Sequence, residues 1–204
     1  MALFLAGAVA NHSFVFGYLV WNLFLATLPV LFALWLERAL RRKLWSAWQA
    51  LVLTALWLVF LPNSFYLITD YIHLQEVPRV DLLYDVVMFT SFILNGLVFG
   101  LISIFVVHVE LRRRLSAWWS GGLIAAVLLL TSFAIYIGRD LRWNTWDIVL
   151  NPASILFDVS DRLLNASSHP AIISTTLSFF VLLSSLYAVA WYMARAARVQ
   201  RLPE

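Results

Sequence analysis

Three short polar clusters, set between long apolar runs, hold the residues best suited to chemistry in this 204-residue chain. The first is Leu61-Pro-Asn-Ser-Phe-Tyr-Leu-Ile-Thr-Asp-Tyr-Ile-His73, where Asn63, Tyr66, Asp70 and His73 are spaced by three, four and three. On an α-helix that spacing predicts a single face about a quarter turn wide. Pro62 breaks the hydrogen-bond ladder just before this stripe. It frees a carbonyl one turn earlier, which Asn63 or Ser64 could satisfy. The second cluster is Asp81-Leu-Leu-Tyr-Asp85. Asp81 suits a helix N-cap, where unpaired N–H groups and the helix dipole favour negative charge, and Asp85 lies one turn deeper. The third is Gly138-Arg-Asp-Leu-Arg-Trp-Asn-Thr-Trp-Asp147. If helical, it places Asp140, Asn144 and Asp147 on one face and Trp143, Trp146 and Leu150 on another, with Arg139 and Arg142 on the flank.

Two chemistries suit these groups. Asp70, His73, Asp85 and Asp140, with Asp147 beside them, are candidate ligands for a divalent metal, since imidazole and carboxylate together suit zinc or manganese. No His-Glu-x-x-His motif accompanies them. Alternatively, Asp70, His73, Asp85 or Asp147 supplies acid–base catalysis while Arg139 and Arg142 hold an anionic headgroup or phosphate. Asn63, Tyr66 and Asn144 then serve as further substrate contacts. The bland reading is a salt-bridge network in which the two arginines tie the loops together. The other histidines are expected to be less informative: His12 and His169 as interfacial side chains, and His108, beside Glu110 and Arg112–Arg114, in a solvated or headgroup role. Asn165-Ala-Ser167 matches a glycosylation sequon, a pattern frequent by chance.

The elements that position these clusters are membrane spans. Hydrophobic residues make up 63% of the chain and charged residues 12%, about half the charged share of a soluble domain. A spanning helix needs roughly 20 mostly apolar residues. Five stretches qualify: Ser13–Leu36, Ala47–Tyr66, Leu82–Val107, Ala117–Ile137 and Ala171–Ala194. The fold expected is therefore all-α, a single polytopic transmembrane bundle over residues 1–204. A short amphipathic helix over about residues 153–164 lies on its outer surface, since Pro152, Asp158 and Asp161 are costly at mid-bilayer. Residues 2–10 are apolar but too short to span, and without a basic n-region they do not read as a signal peptide. Gly96-x-x-x-Gly100 with Ser103, then Gly122, Ala125 and Ala126, then Ser174, Ser178 and Ser185, predict close helix contacts on the third, fourth and fifth spans. Asn22 and Asn95 fall at similar depth and could bond to each other.

Charge sets direction. Ten basic residues (Arg38, Arg41, Arg42, Lys43, Arg112, Arg113, Arg114, Arg195, Arg198, Arg201) lie at one set of helix ends, and four (Arg79, Arg139, Arg142, Arg162) at the other. The richer side is expected to be cytoplasmic, with the N-terminus outside and the C-terminus inside. Eight of the eleven acids then lie outside, with all three clusters. The arginines at span ends are a topology signal, not a nucleic-acid groove. With no cysteine, disulfides and thiolate metal sites are excluded.

Pro62-Asn63, Tyr66, Thr69-Asp70, Tyr84-Asp85 and Gly138-Arg139-x-x-Arg142-Trp143-Asn144-x-Trp146-Asp147 together resemble a family of bacterial multi-pass membrane proteins of unknown function. The resemblance implies a plasma-membrane location and brings no catalytic residues. The residues themselves leave three functions open: an enzyme acting at the outer surface on a lipid or lipid-linked substrate, a transporter or small-molecule binding protein using the clusters as a vestibule, and a structural subunit. The lipid bilayer is the one partner expected on composition alone. Oligomeric state and the presence of a metal stay open.

Overall fold

The computed structural model describes residues 16–75, 82–141, 143, 147–165 and 168–199. Among these the chain is all-helical. We number its α-helices α1 (Gly17–Leu40), α2 (Trp48–Tyr66), α3 (Leu82–Arg112), α4 (Ala117–Asp140), α5 (Asp147–Leu150), α6 (Pro152–Leu164) and α7 (Pro170–Val199), with a 3-10 helix, Leu67–Gln75, directly after α2. Five of them are long and apolar enough to cross a membrane: α1, α2 with its 3-10 extension to Ile72, α3, α4 and α7. The expected number of long apolar helices is thus present among the described residues, and positions 13–15 of the first expected span lie outside them. The helices run a few residues past the apolar stretches because the charged ends stay helical beyond the hydrocarbon length. The residues fall into two compact units, divided between Ser103 and Ile104 within α3.

In the first unit α1 packs along α2. Its inward stripe is Leu19, Ala26, Ala33 and Leu40, seven residues apart, with Pro29 and Leu36 between them. Asn22 occupies the same stripe and is half-buried. A seven-residue apolar repeat is the pattern of helices crossing at a shallow angle. From α2, Trp57, Leu61, Ser64 and Phe65 are buried. Ser64 Oγ donates to the Ala26 carbonyl of α1 at 2.9 Å, one turn before the ladder gap that Pro29 makes. The expected small-residue contact on α3 is present. A Cβ on Gly96 would lie 2.6 Å from the Ser64 carbonyl oxygen, and one on Gly100 would lie 2.4 Å from the Phe65 ring. Both positions therefore need glycine for close approach. Ser103, on the same face, accepts from Trp57 Nε1 at 3.3 Å. Leu67, Met88, Phe89, Phe92 and Ile93 close this core with Leu19 and Ala26.

In the second unit α4 packs on α7. The buried stripe of α4 is Ser120, Ile124, Leu128, Thr131, Ile135. That phase puts Gly122, Ala125 and Ala126 on the exposed side, and a Cβ on Gly122 would meet nothing. The contact expected from these small residues is absent, because spacing alone does not fix which face meets a neighbour. Ser174, Ser178 and Ser185 are likewise exposed, while α7 buries Ile172, Leu183 and Tyr187. The amphipathic helix expected near residues 153–164 is α6. It exposes Leu156, Phe157 and Leu164. Arg162 Nη1 donates to the Tyr136 hydroxyl of α4 at 2.9 Å, and Asp158 accepts from Trp143 Nε1 at 2.9 Å.

Candidate functional site

The α-helical stripe predicted over Asn63, Tyr66, Asp70 and His73 is broken after its second member. α2 ends at Tyr66, where Thr69 Oγ1 donates to the Tyr66 carbonyl at 2.7 Å, and the chain tightens into the 3-10 helix. Each 3-10 residue advances about 120° instead of 100°, so Asp70 rotates away from the row set by Asn63 and Tyr66. It turns inward. Asp70 is 2% exposed and accepts from the Asn22 amide Nδ2 of α1 at 3.2 Å. Asn63 and Tyr66 stay half-buried. Asn63 Nδ2 donates to the Phe60 carbonyl at 3.1 Å, back onto its own helix, whereas the carbonyl that Pro62 frees is that of Leu58, four residues before the proline. Ser64 instead serves α1.

The 3-10 segment lies against the start of α3, where the Tyr71 hydroxyl and Thr90 Oγ1 are 2.7 Å apart. Asp85, in the first turn of α3, is half-buried. Asp70 and Asp85 therefore lie toward one end of the first unit, whereas Asn63 lies deeper: its neighbour Ser64 meets Gly96, eleven residues or about 16 Å along α3 from Asp85. Asp81 and the His73 side chain lie outside the described residues. The expected pairing of Asn22 with Asn95 does not occur. Asn22 is taken by Asp70, while Asn95 is exposed and donates to the Ser91 carbonyl of its own helix at 2.7 Å.

The third cluster belongs to the second unit. α4 ends at Asp140 and a new helical turn begins at Asp147, so these two carboxylates do not share one continuous helix as expected. Arg139 and Asp140 are exposed. Asn151 Nδ2 reaches Asp147 Oδ1 at 3.5 Å. Arg142, Asn144 and Trp146 lie outside the described residues. Among the described residues, no three of His, Asp and Glu come together as a metal site.

A second constellation, which the sequence reading missed, sits at the basic end of the second unit. Of the two roles expected for His108, solvated or headgroup-binding, the solvated one does not hold, since the residue is 7% exposed. Its Nδ1 lies 2.7 Å from the Tyr187 hydroxyl, and its ring stacks on Trp191 with centroids 4.0 Å apart. The signal was present as His108 and Arg112 four apart on α3, and Tyr187, Trp191 and Arg195 four apart on α7. It becomes meaningful once these two faces meet. Phe105, His108, Arg112, Gly121, Trp191 and Arg195 line an open cleft of about 630 Å³. Beside it the buried Glu110 carboxylate holds Arg113, and Arg114 at 2.6 Å.

A family model described as a protein of unknown function (DUF1361) matches residues 21–184. The chain belongs to that family. The matched segment includes every motif residue named above, from Pro62 to Asp147. No curated protein and no solved structure matches the chain. Membership in DUF1361 therefore agrees with the uncharacterised-family resemblance and leaves the chemistry to be argued from the residues.

Proposed function

We propose that this DUF1361 protein is a multi-pass protein of a bacterial plasma membrane that acts at the outer surface on a lipid or lipid-linked substrate. The observation that carries the reading is Asp70, a carboxylate buried at the end of an apolar helix pair and held by the Asn22 amide. Removing a carboxylate from water costs several kcal/mol, and ionisable groups kept inside membrane proteins are by default functional. In this reading Asp70 sets the charge behind the site. The half-buried Asp85 near it is the group a substrate reaches first, with the half-buried Tyr66 and Asn63 successively deeper along α2, and the sequence spacing adds His73 to the reading. The positive-inside distribution supports placing this end outside, with the Arg38–Lys43, Arg112–Arg114 and Arg195 ends in the cytoplasm. Surface chemistry is favoured over a transport path because Asn95 turns back onto its own helix, away from the Asn22–Asp70 pair.

The test is reconstitution of the purified protein in bilayers of a total bacterial lipid extract, followed over time by mass spectrometry. The expected result is conversion of a lipid or lipid-linked species by the wild type that is lost in Asp70→Asn and Asp85→Asn. Asp70→Asn keeps an acceptor for Asn22 and so keeps the packing. Absence of any conversion by the wild type, or equal rates in folded variants, contradicts the reading.

A further inference from the structure

The cleft at the basic end of the second unit has no part in the Asp70 reading, and its lining points to a ligand class of its own. Three features converge there. First, Arg112 and Arg195 stand on its rim, both exposed, and among the described residues neither meets a carboxylate. Glu110, the acid nearest in sequence, is committed to Arg113 and Arg114. The cleft therefore presents guanidinium forks with no anion among the described residues to neutralise them, and such forks match phosphate oxygens in pairs.

Second, α4 begins at this cleft, with Ala117 and Gly121 in its wall. The first-turn N–H groups and the positive end of the helix dipole add to the field of the two arginines. Third, the depth is chemically graded. From Arg112 back to Phe105 is about 10 Å along α3 at 1.5 Å per residue. Over that distance the lining passes from guanidinium to the His108–Trp191 stack and then to the Phe105 ring, whose centroid is 5.5 Å from that of Trp191. With Nδ1 facing the Tyr187 hydroxyl, Nε2 is the ring nitrogen left for a ligand. A cationic mouth over an aromatic floor fits an amphiphile with an anionic head.

We propose that this cleft binds a phosphate group through Arg112 and Arg195, with His108 behind them, and that the phosphate is the headgroup of an anionic phospholipid in the same leaflet. The shared chemistry admits a second source, soluble phosphate, and the experiment separates the two.

The full-length protein in detergent is titrated with phosphatidylglycerol, and separately with inorganic phosphate, and bound ligand is counted by native mass spectrometry. Four proteins are compared: wild type, the double variant Arg112→Gln/Arg195→Gln, Gly121→Leu and Arg42→Gln. A Cβ at Gly121 meets nothing within 4 Å, so leucine there fills the cleft without disturbing the helix. Arg42 is an exposed cation at another basic helix end, and it controls for unspecific charge attraction. The expected result is saturable phosphatidylglycerol binding, weakened roughly tenfold or more by both cleft variants and unchanged in Arg42→Gln. The same variant pattern with inorganic phosphate alone supports the phosphate site and assigns it to a soluble ligand. No saturable binding of either, or equal loss in Arg42→Gln, overturns the proposal.

Discussion

Both units bury polar residues, but they differ in what stays open at the surface. In the first unit the polar groups turn inward: Asp70 is buried against Asn22, Ser64 spans to the Ala26 carbonyl, and Ser103 meets Trp57. In the second unit Glu110 gathers two of its arginines, while Arg112 and Arg195 stay exposed around an open cleft. Glycine follows the same division. Gly96 and Gly100 are in contact with the neighbouring helix, whereas Gly121 and Gly122 face open space. Small residues at helical spacing thus mark close packing on α3 and accessible surface on α4, although the spacing looks alike.

Substitution breaks this contrast at its strongest point in the glycines. Gly96→Val drives a branched side chain into the Ser64 carbonyl and is expected to cost about 2–3 kcal/mol. Gly122→Leu meets nothing and is expected to fall within about 0.5 kcal/mol of wild type. Thermal unfolding of both in the same detergent measures the difference, and equal losses would remove the distinction. The amides come next. Asn22→Leu takes a donor from the buried Asp70 and is expected to destabilise by about 1–3 kcal/mol, whereas Asn95→Leu on the exposed face is expected to be neutral or slightly stabilising. Loss of stability in Asn95→Leu would show that its side chain makes a contact beyond its own helix. The smallest effect is expected from Tyr187→Phe, which removes the hydroxyl from His108 Nδ1 and should cost about 1 kcal/mol while leaving the Trp191 stack in place.

The sequence made the five long helices legible because each is an uninterrupted apolar run bounded by charge. It also made the Gly96–Gly100–Ser103 contact legible, since three small residues at helical spacing mark one face. The Asp70 stripe was misread for a local reason: the helix tightens after Tyr66, and a change of about 20° per residue carries Asp70 onto the α1 side within one turn. The third cluster was misread as one helix because nothing in its spacing reveals that α4 ends at Asp140. His108 and Arg112 were legible as a polar, headgroup-level pair, but the cleft they form with Tyr187, Trp191 and Arg195 was not. Its residues are about 80 positions apart, and their proximity depends on which faces of α3 and α7 meet, information that periodicity within one helix does not contain.

Both functional readings stand on the sidedness of the two polar regions, with the Asp70 end outside and the His108–Arg112 cleft facing the cytoplasm. The chain has no cysteine, so single-cysteine variants report sidedness without background. Ser168 and Ser46 are both exposed, one before α7 and the other before α2. With a membrane-impermeant maleimide on intact cells, the account predicts labelling of Ser168→Cys at once and of Ser46→Cys after permeabilisation. The reverse pattern, or labelling of both from one side, would contradict it.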